Sequence, residues 1–193
     1  ELEFPQIFYD ENGNKKTNYG FDIVIGNPPY IRQEELTNFK PYFEKNYKCY
    51  DGIADLYVYF LEKELGYLKD GGCFGIIVSN KWTKARYGEK LREFLKKYRI
   101  LQFIDFGDLP VFEGAITYPC VLTIRNSDPS NNKIFVSKPL TLEYVDMERM
   151  LNQNFYSVSQ NDLSSKPWAF QDSKHEAINI KIKKSGIPLE KYC

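Results

Sequence analysis

Two adjacent prolines after an apolar run constrain this chain more than any other feature. Phe21-Asp22-Ile23-Val24-Ile25-Gly26 is followed directly by Asn27-Pro28-Pro29-Tyr30. The β-branched run predicts a buried strand over Phe21 to Ile25, with Asp22 at its entry. Each proline fixes its own φ and restricts the residue before it, so neither strand nor helix continues through the pair. The chain must leave the strand in a nearly frozen turn at its carboxyl end, where ligands of open α/β sheets gather. Such a turn can aim the Asn27 side-chain oxygen and the Pro28 carbonyl at one point. Two acceptors aimed together suit an exocyclic amino group with its two N–H donors. Tyr30 can then lie flat against the ring that carries the amine. A plain turn asparagine is the alternative for Asn27, and the prolines with Tyr30 favour the amine-holding reading.

The rest of the chain alternates between strand and helix signals. Residues 31 to 52 are polar and aromatic without a clean period and predict a loop with a short helix around Glu34 to Tyr42. Ile53, Leu56, Tyr57, Phe60, Leu61, Leu65 and Leu68 have helical spacing, with Gly71-Gly72 as the stop. Cys73 to Ser79 is a second strand, Tyr87 to Tyr98 a helix with Leu91, Phe94 and Leu95 inward, and Ile100 to Phe106 a third strand. Ile116 to Arg125 is a fourth strand, antiparallel to its neighbour across a short link. Pro119 within it predicts an edge position or a bulge. This order is the second half of a doubly wound α/β sheet, mixed, with a terminal antiparallel strand pair. After Asn126 the texture changes, with short strand-like pieces and a helical piece near Ala177 to Lys184. Residues 127–193 read as a connector toward a further domain.

Composition narrows the class. Hydrophobic residues make up 42% of the 193, enough for a true core. No apolar stretch approaches the roughly 20 residues that span a bilayer, so no membrane is expected. Cys49, Cys73, Cys120 and Cys193 form no Cys-x-x-Cys pair and read as reduced thiols of a cytoplasmic protein. No metal-ligand spacing and no nuclease carboxylate–lysine set stands out. The 26 basic and 26 acidic side chains cancel, which argues against gripping a polyanion by bulk charge. The stretch Lys81 to Arg99 is locally basic. Lys84 and Arg86, close behind a strand end, read either as phosphate-facing or as a solvated face. His175, the only histidine, reads as solvated.

The motif blocks resemble a known family. Asn27-Pro28-Pro29-Tyr30, Asp55 to Glu62, Gly71 to Trp82 and Asp105 to Phe112 follow one another as in the TaqI-like N6-adenine DNA methyltransferases. That family includes type II and type IIG restriction–modification enzymes. The resemblance covers about residues 4 to 126 well and the remainder loosely. It implies a Rossmann-like methyltransferase sheet, S-adenosylmethionine as cofactor and double-stranded DNA with a flipped adenine as partner. It implies Asn27 and Pro28 as acceptors for the adenine amine, Tyr30 and Phe112 as aromatic contacts to the base, and Pro29 and Phe60 as cofactor contacts. Packing in the core is the alternative for Phe60 and for Phe112. Trp82 reads either as shaping the pocket or as a rim tryptophan over the sheet.

In that family a Gly-rich cofactor turn precedes the proline motif, and no such turn is found here. Residues 1–126 therefore read as a partial catalytic domain. Its N-terminal half and a C-terminal recognition domain are expected elsewhere in the same chain. Alone it is expected to be inactive and to bind the cofactor weakly or not at all. Two other functions compete: an amino methyltransferase for protein glutamine or RNA, and a non-catalytic DNA-binding module. The target DNA sequence and any fused nuclease are not legible.

Overall fold

The structure is a computed structural model that describes residues 3–113, 117–143, 155–168, 170, 181–182 and 185–186. The predicted α/β architecture is present as one six-stranded mixed sheet in the order β1-β2-β4-β3-β5-β6. After a four-residue helix α1 (Pro5–Phe8) come β1 (Phe21–Gly26), α2 (Lys40–Asn46), α3 (Tyr57–Leu65), β2 (Leu68–Ser79) and α4 (Glu89–Leu95). Then follow β3 (Arg99–Asp105), β4 (Pro119–Arg125), β5 (Lys133–Ser137) and β6 (Phe155–Ser159). β1 runs parallel to β2, β4 lies antiparallel to both β2 and β3, and β5 is parallel to β3.

The core forms where the apolar stripes meet. Val58, Leu61 and Leu65 of α3 are buried with Phe74, Ile76 and Val78 of β2, Leu91 and Leu95 of α4, and Leu122 and Ile124 of β4. Fully burying one such side chain contributes about 1.5–3 kcal/mol. Two buried amides close a gap in this apolar ground. Gln160 Oε1 accepts from the Ile100 amide at 3.0 Å and from Asn132 Nδ2 at 2.8 Å. Gln160 Nε2 donates to the Tyr98 carbonyl at 2.7 Å. They satisfy the backbone where β3 slips register between Ile100 and Gln102.

Several expectations shift. β1 is a strand but not a buried one: it pairs only with β2 at the sheet edge, and Ile23 and Ile25 are 67% and 81% exposed. Only Val24, on its other face, packs against the core. The short helix lies at Lys40–Asn46 rather than Glu34 to Tyr42, because Pro41 fits a first turn and breaks a helix interior. α3 stops at Gly66, and Gly71-Gly72 lie inside β2, where Gly71 has a φ of +79°. That conformation forms an irregularity, with Phe21 opposite Leu68 but Ile23 opposite Cys73.

Pro119 is at neither an edge nor a bulge. It opens the central strand β4, a position where its missing N–H breaks no ladder, and its carbonyl accepts from the Phe106 amide at 3.0 Å. The sheet also does not end near residue 126, since β5 and β6 extend it beyond the β3–β4 antiparallel pair. Cys49, Cys73 and Cys120 are free thiols. Ile116, His175, Cys193 and most of the helical piece near Ala177 to Lys184 lie outside the described residues. Among the described residues, no helix is long and apolar enough to cross a membrane.

Candidate active site

The proline motif leaves β1 in a tight turn. The Ile31 amide donates back to the Pro29 carbonyl at 2.9 Å, a three-residue closure. Two further bonds lock the exit to the start of α3. The Leu56 amide donates to the Ile31 carbonyl at 3.1 Å, and the Gln33 amide to Asp55 Oδ1 at 3.1 Å. Burial pushes the Asp55 carboxyl up, partly offset by the Gln33 amide and by Lys81. Within the motif Pro28 is buried, while Asn27, Pro29 and Tyr30 are exposed. The hydrophobic residue serves as the anchor and the polar and aromatic groups face outward.

The carboxyl ends of β2 and β3 meet beside it. Asn80, just past β2, donates from Nδ2 to Asp105 Oδ1 at 2.7 Å, and the Gly107 amide donates to the same oxygen at 3.1 Å. The Asn80 amide reaches the Tyr118 carbonyl at 2.8 Å. Tyr118 has a φ of +48°, a conformation that costs a non-glycine residue about 1–3 kcal/mol and that this bond helps to hold. From Asp105 the chain folds through short turns, Leu109 amide to Phe106 carbonyl at 3.0 Å and Val111 amide to Leu109 carbonyl at 2.8 Å. These turns deliver Phe112 to Tyr30, with ring centroids 5.5 Å apart and planes at 64°. Burial pushes the Tyr30 hydroxyl up to about 12, with Cys120 adding to the effect.

The structure thus brings Tyr30 and Phe112 together from distant segments. Phe60 lies on α3 and remains only half-buried, although its neighbours Tyr57, Val58, Tyr59 and Leu61 are buried. Lys84 and Arg86 are exposed on the loop after β2. Trp82 is neither a pocket wall nor a rim residue. It is fully buried, edge-on to Phe103 and to Trp168 at 6.3 and 5.3 Å. Asp22 pairs with Lys69 at the strand entry.

The clamp between Asn80 and Asp105 was not singled out from the sequence. Its signal was an amide and a carboxylate, each placed just where an apolar run ends. Arg92 was missed as well, because a basic residue on a basic helix looks solvated, yet it is 2% exposed.

Comparison with known proteins bears on family and fold. Residues 1–112 match the family model described as Eco57I restriction-modification methylase. The chain is 29% identical over 174 residues, 88% of its length, to the type II restriction enzyme and methyltransferase RM.Eco57I of Escherichia coli. It is 40% identical over 112 residues, 56% of its length, to the type II methyltransferase M.BstVI of Geobacillus stearothermophilus. It spans only 17% and 20% of the lengths of those relatives. Among solved structures, the type IIG restriction endonuclease BpuSI superposes with a TM-score of 0.59 at 17% identity, covering 84% of this chain and 22% of that one. A type I restriction-modification methyltransferase subunit from Streptococcus thermophilus gives a TM-score of 0.56 at 16% identity, covering 79% of this chain and 37% of that one. At these identities the structural likeness is one of fold.

Proposed function

We propose, for a chain that belongs to the Eco57I restriction-modification methylase family, that it forms the target-base half of a DNA adenine-N6 methyltransferase in a restriction–modification system. The observation that carries this reading is the Tyr30–Phe112 pair beside the Asn27-Pro28 turn. Two partly open aromatic rings next to the exposed Asn27 amide, with the Pro28 carbonyl following it in the same turn, suit a flat base bearing an exocyclic amine. A base extruded from a duplex loses its stacking, and an aromatic platform offsets that loss.

In this reading the Asn27 side-chain oxygen and the Pro28 carbonyl accept the two N–H bonds of the adenine amine. Bound S-adenosylmethionine would supply an electrophilic methyl group. Accepting the N–H bonds draws the nitrogen lone pair out of conjugation and turns it toward that group. Methyl transfer would form the N–C bond as the sulfonium S–C bond breaks, and the positive charge developing on the nitrogen would lie next to the two oxygens. An amide oxygen is too weak a base to keep the surplus proton, so the proton leaves to water. Asn27 and Pro28 act by orientation and charge stabilisation.

The half-buried Phe60 and the exposed Pro29 suit the flat adenine part of the cofactor. The groups that would hold its methionine part are proposed to lie outside residues 1–126. Lys84 and Arg86 are assigned to the DNA backbone, and residues 127–193 to the approach to a recognition region.

The test uses the full-length protein. It is incubated with DNA and S-adenosylmethionine, the DNA is digested to nucleosides, and N6-methyl-2′-deoxyadenosine is sought by mass spectrometry. The expected result is methyladenine that falls by about 100-fold or more in Asn27→Ala, the scale of removing one preorganised acceptor or donor at a developing charge. A folded, cofactor-binding protein that leaves DNA unmethylated would move the substrate to a protein amide or an RNA amine.

A further inference from the structure

Arg92 is a buried cation, and among the described residues no carboxylate lies on its guanidinium. Among the described residues its hydrogen bonds all go to backbone carbonyls. Nη1 donates to Trp82 O at 2.6 Å and Ala85 O at 2.9 Å, and Nε donates to Ser165 O at 2.8 Å. Burial lowers its pKa, with Glu89 working the other way, yet an arginine stays charged at any physiological pH. A buried charge is costly unless its geometry is served. Here the geometry is served by shaping the backbone around it.

The two carbonyls on Nη1 belong to the loop between β2 and α4. The loop passes so close to the arginine that Gly88 admits no side chain. A Cβ there would lie 2.0 Å from Trp82 O and 2.8 Å from Arg92 Nη1. The third carbonyl belongs to the segment after β6. That segment is joined to the loop twice more, by the Trp168 amide on Thr83 O at 2.7 Å and by the Trp82–Trp168 ring contact. The loop so held starts at Asn80, the partner of Asp105, and carries Lys84 and Arg86 outward.

We propose that Arg92 is a positioning residue that holds the 82–88 loop in the one shape that presents Lys84 and Arg86 to DNA phosphates, and that it couples this loop to the 164–168 segment. The proposal rests on the DNA reading above. A planar fork with five donors in fixed directions can hold two carbonyls of one loop and a third from another segment. A lysine in the same place offers one point charge and cannot span all three.

A double-mutant cycle in the full-length protein tests this. DNA affinity is measured against salt for wild type, Arg92→Lys, Lys84→Ala/Arg86→Ala, and all three changes together. Removing the two basic side chains is expected to reduce the slope of log affinity against log salt by about two, one for each phosphate no longer neutralised. Arg92→Lys should reproduce that reduction while cofactor affinity stays within about twofold of wild type, and the combined variant should show no further reduction. A merely structural arginine would lower the melting temperature but leave the slope unchanged and the effects additive, and that result overturns the proposal. Should Arg92→Lys fail to fold, Arg92→Gln takes its place in the cycle, since it removes the buried charge and the donor to Trp82 O but keeps a donor near Ser165 O. Wild-type protein that does not bind DNA sinks the functional reading and this proposal together. Wild-type protein that binds DNA with an additive cycle sinks the proposal alone.

Discussion

In the proposed function Tyr30 would serve the site through its ring, and its hydroxyl could be dispensed with. With its pKa pushed up to about 12 by burial, the phenol keeps its proton across the working range of an enzyme. Tyr30→Phe should therefore leave the pH–rate profile and kcat/KM nearly unchanged. Tyr30→Ala removes a stacking surface that is worth about 1–3 kcal/mol per base, so kcat/KM for DNA should fall by about 5- to 150-fold. Phe112→Ala should fall on the same scale, and the pair should be non-additive because the two rings touch each other. Steady-state kinetics on an oligonucleotide checks all four. A Tyr30→Ala enzyme as active as wild type would remove the base platform from the reading. Tyr30 and Asn27 were legible because prolines limit what their neighbours can do. Arg92 and Gln160 were not, because a sequence does not say that a polar side chain will meet carbonyls or amides from residues far along the chain.

At the scale of elements, strands and helices were read from apolar spacing and their boundaries from glycine and proline. The first signal held for β1, β2, β3, α3 and α4. The second misled where tertiary context chose between uses of the same residue. Gly71 supplies a positive φ within a strand pairing rather than a helix stop, and Pro119 opens a central strand. β5 and β6 were read as short strand-like pieces of a connector rather than as part of the sheet, since pairing partners are not written in a strand of five residues. α3 also carries a cost that no period reveals. Glu64 Oε2 is buried without a hydrogen-bond partner among the described residues, it would be 2.7 Å from a Cβ at Gly26, and burial pushes its carboxyl up. A carboxyl raised in the folded state favours folding most at low pH, below the unfolded value near about 4.3. That contribution is lost as pH rises through the raised folded value. Glu64→Gln should therefore stabilise the chain at neutral pH, by up to about 1 kcal/mol for a half-buried group. The advantage should vanish as pH falls through the carboxylate range. Urea melts at pH 7 and pH 4 decide it, and a variant less stable at pH 7 would show that the carboxylate has a partner.

At the scale of the molecule, the sheet is lopsided. One flank runs on through β3, β5 and β6, while the other stops at β1 with Ile23 and Ile25 exposed on one face. The motif proposed to gather the target base hangs from that open flank. A small-molecule site normally encloses most of its ligand, typically about 70–90% of the ligand surface. In the proposed function Pro29 and Phe60 would offer the cofactor only part of a wall, and the 193 residues are expected to hold it weakly or not at all. Titration of the chain with S-adenosylmethionine should give no saturable heat in the micromolar range, whereas the full-length protein should bind. The same chain should keep its fold while it fails to bind, because its core lies under β2, β4 and β3 rather than under β1. Circular dichroism on the titrated sample separates the two outcomes. A folded chain without binding fits a cofactor pocket shared with residues beyond these. Micromolar binding by the chain alone would mean that the wall formed by Pro29, Phe60 and the open face of β1 is a complete site, and the division of labour proposed for the sheet would fall.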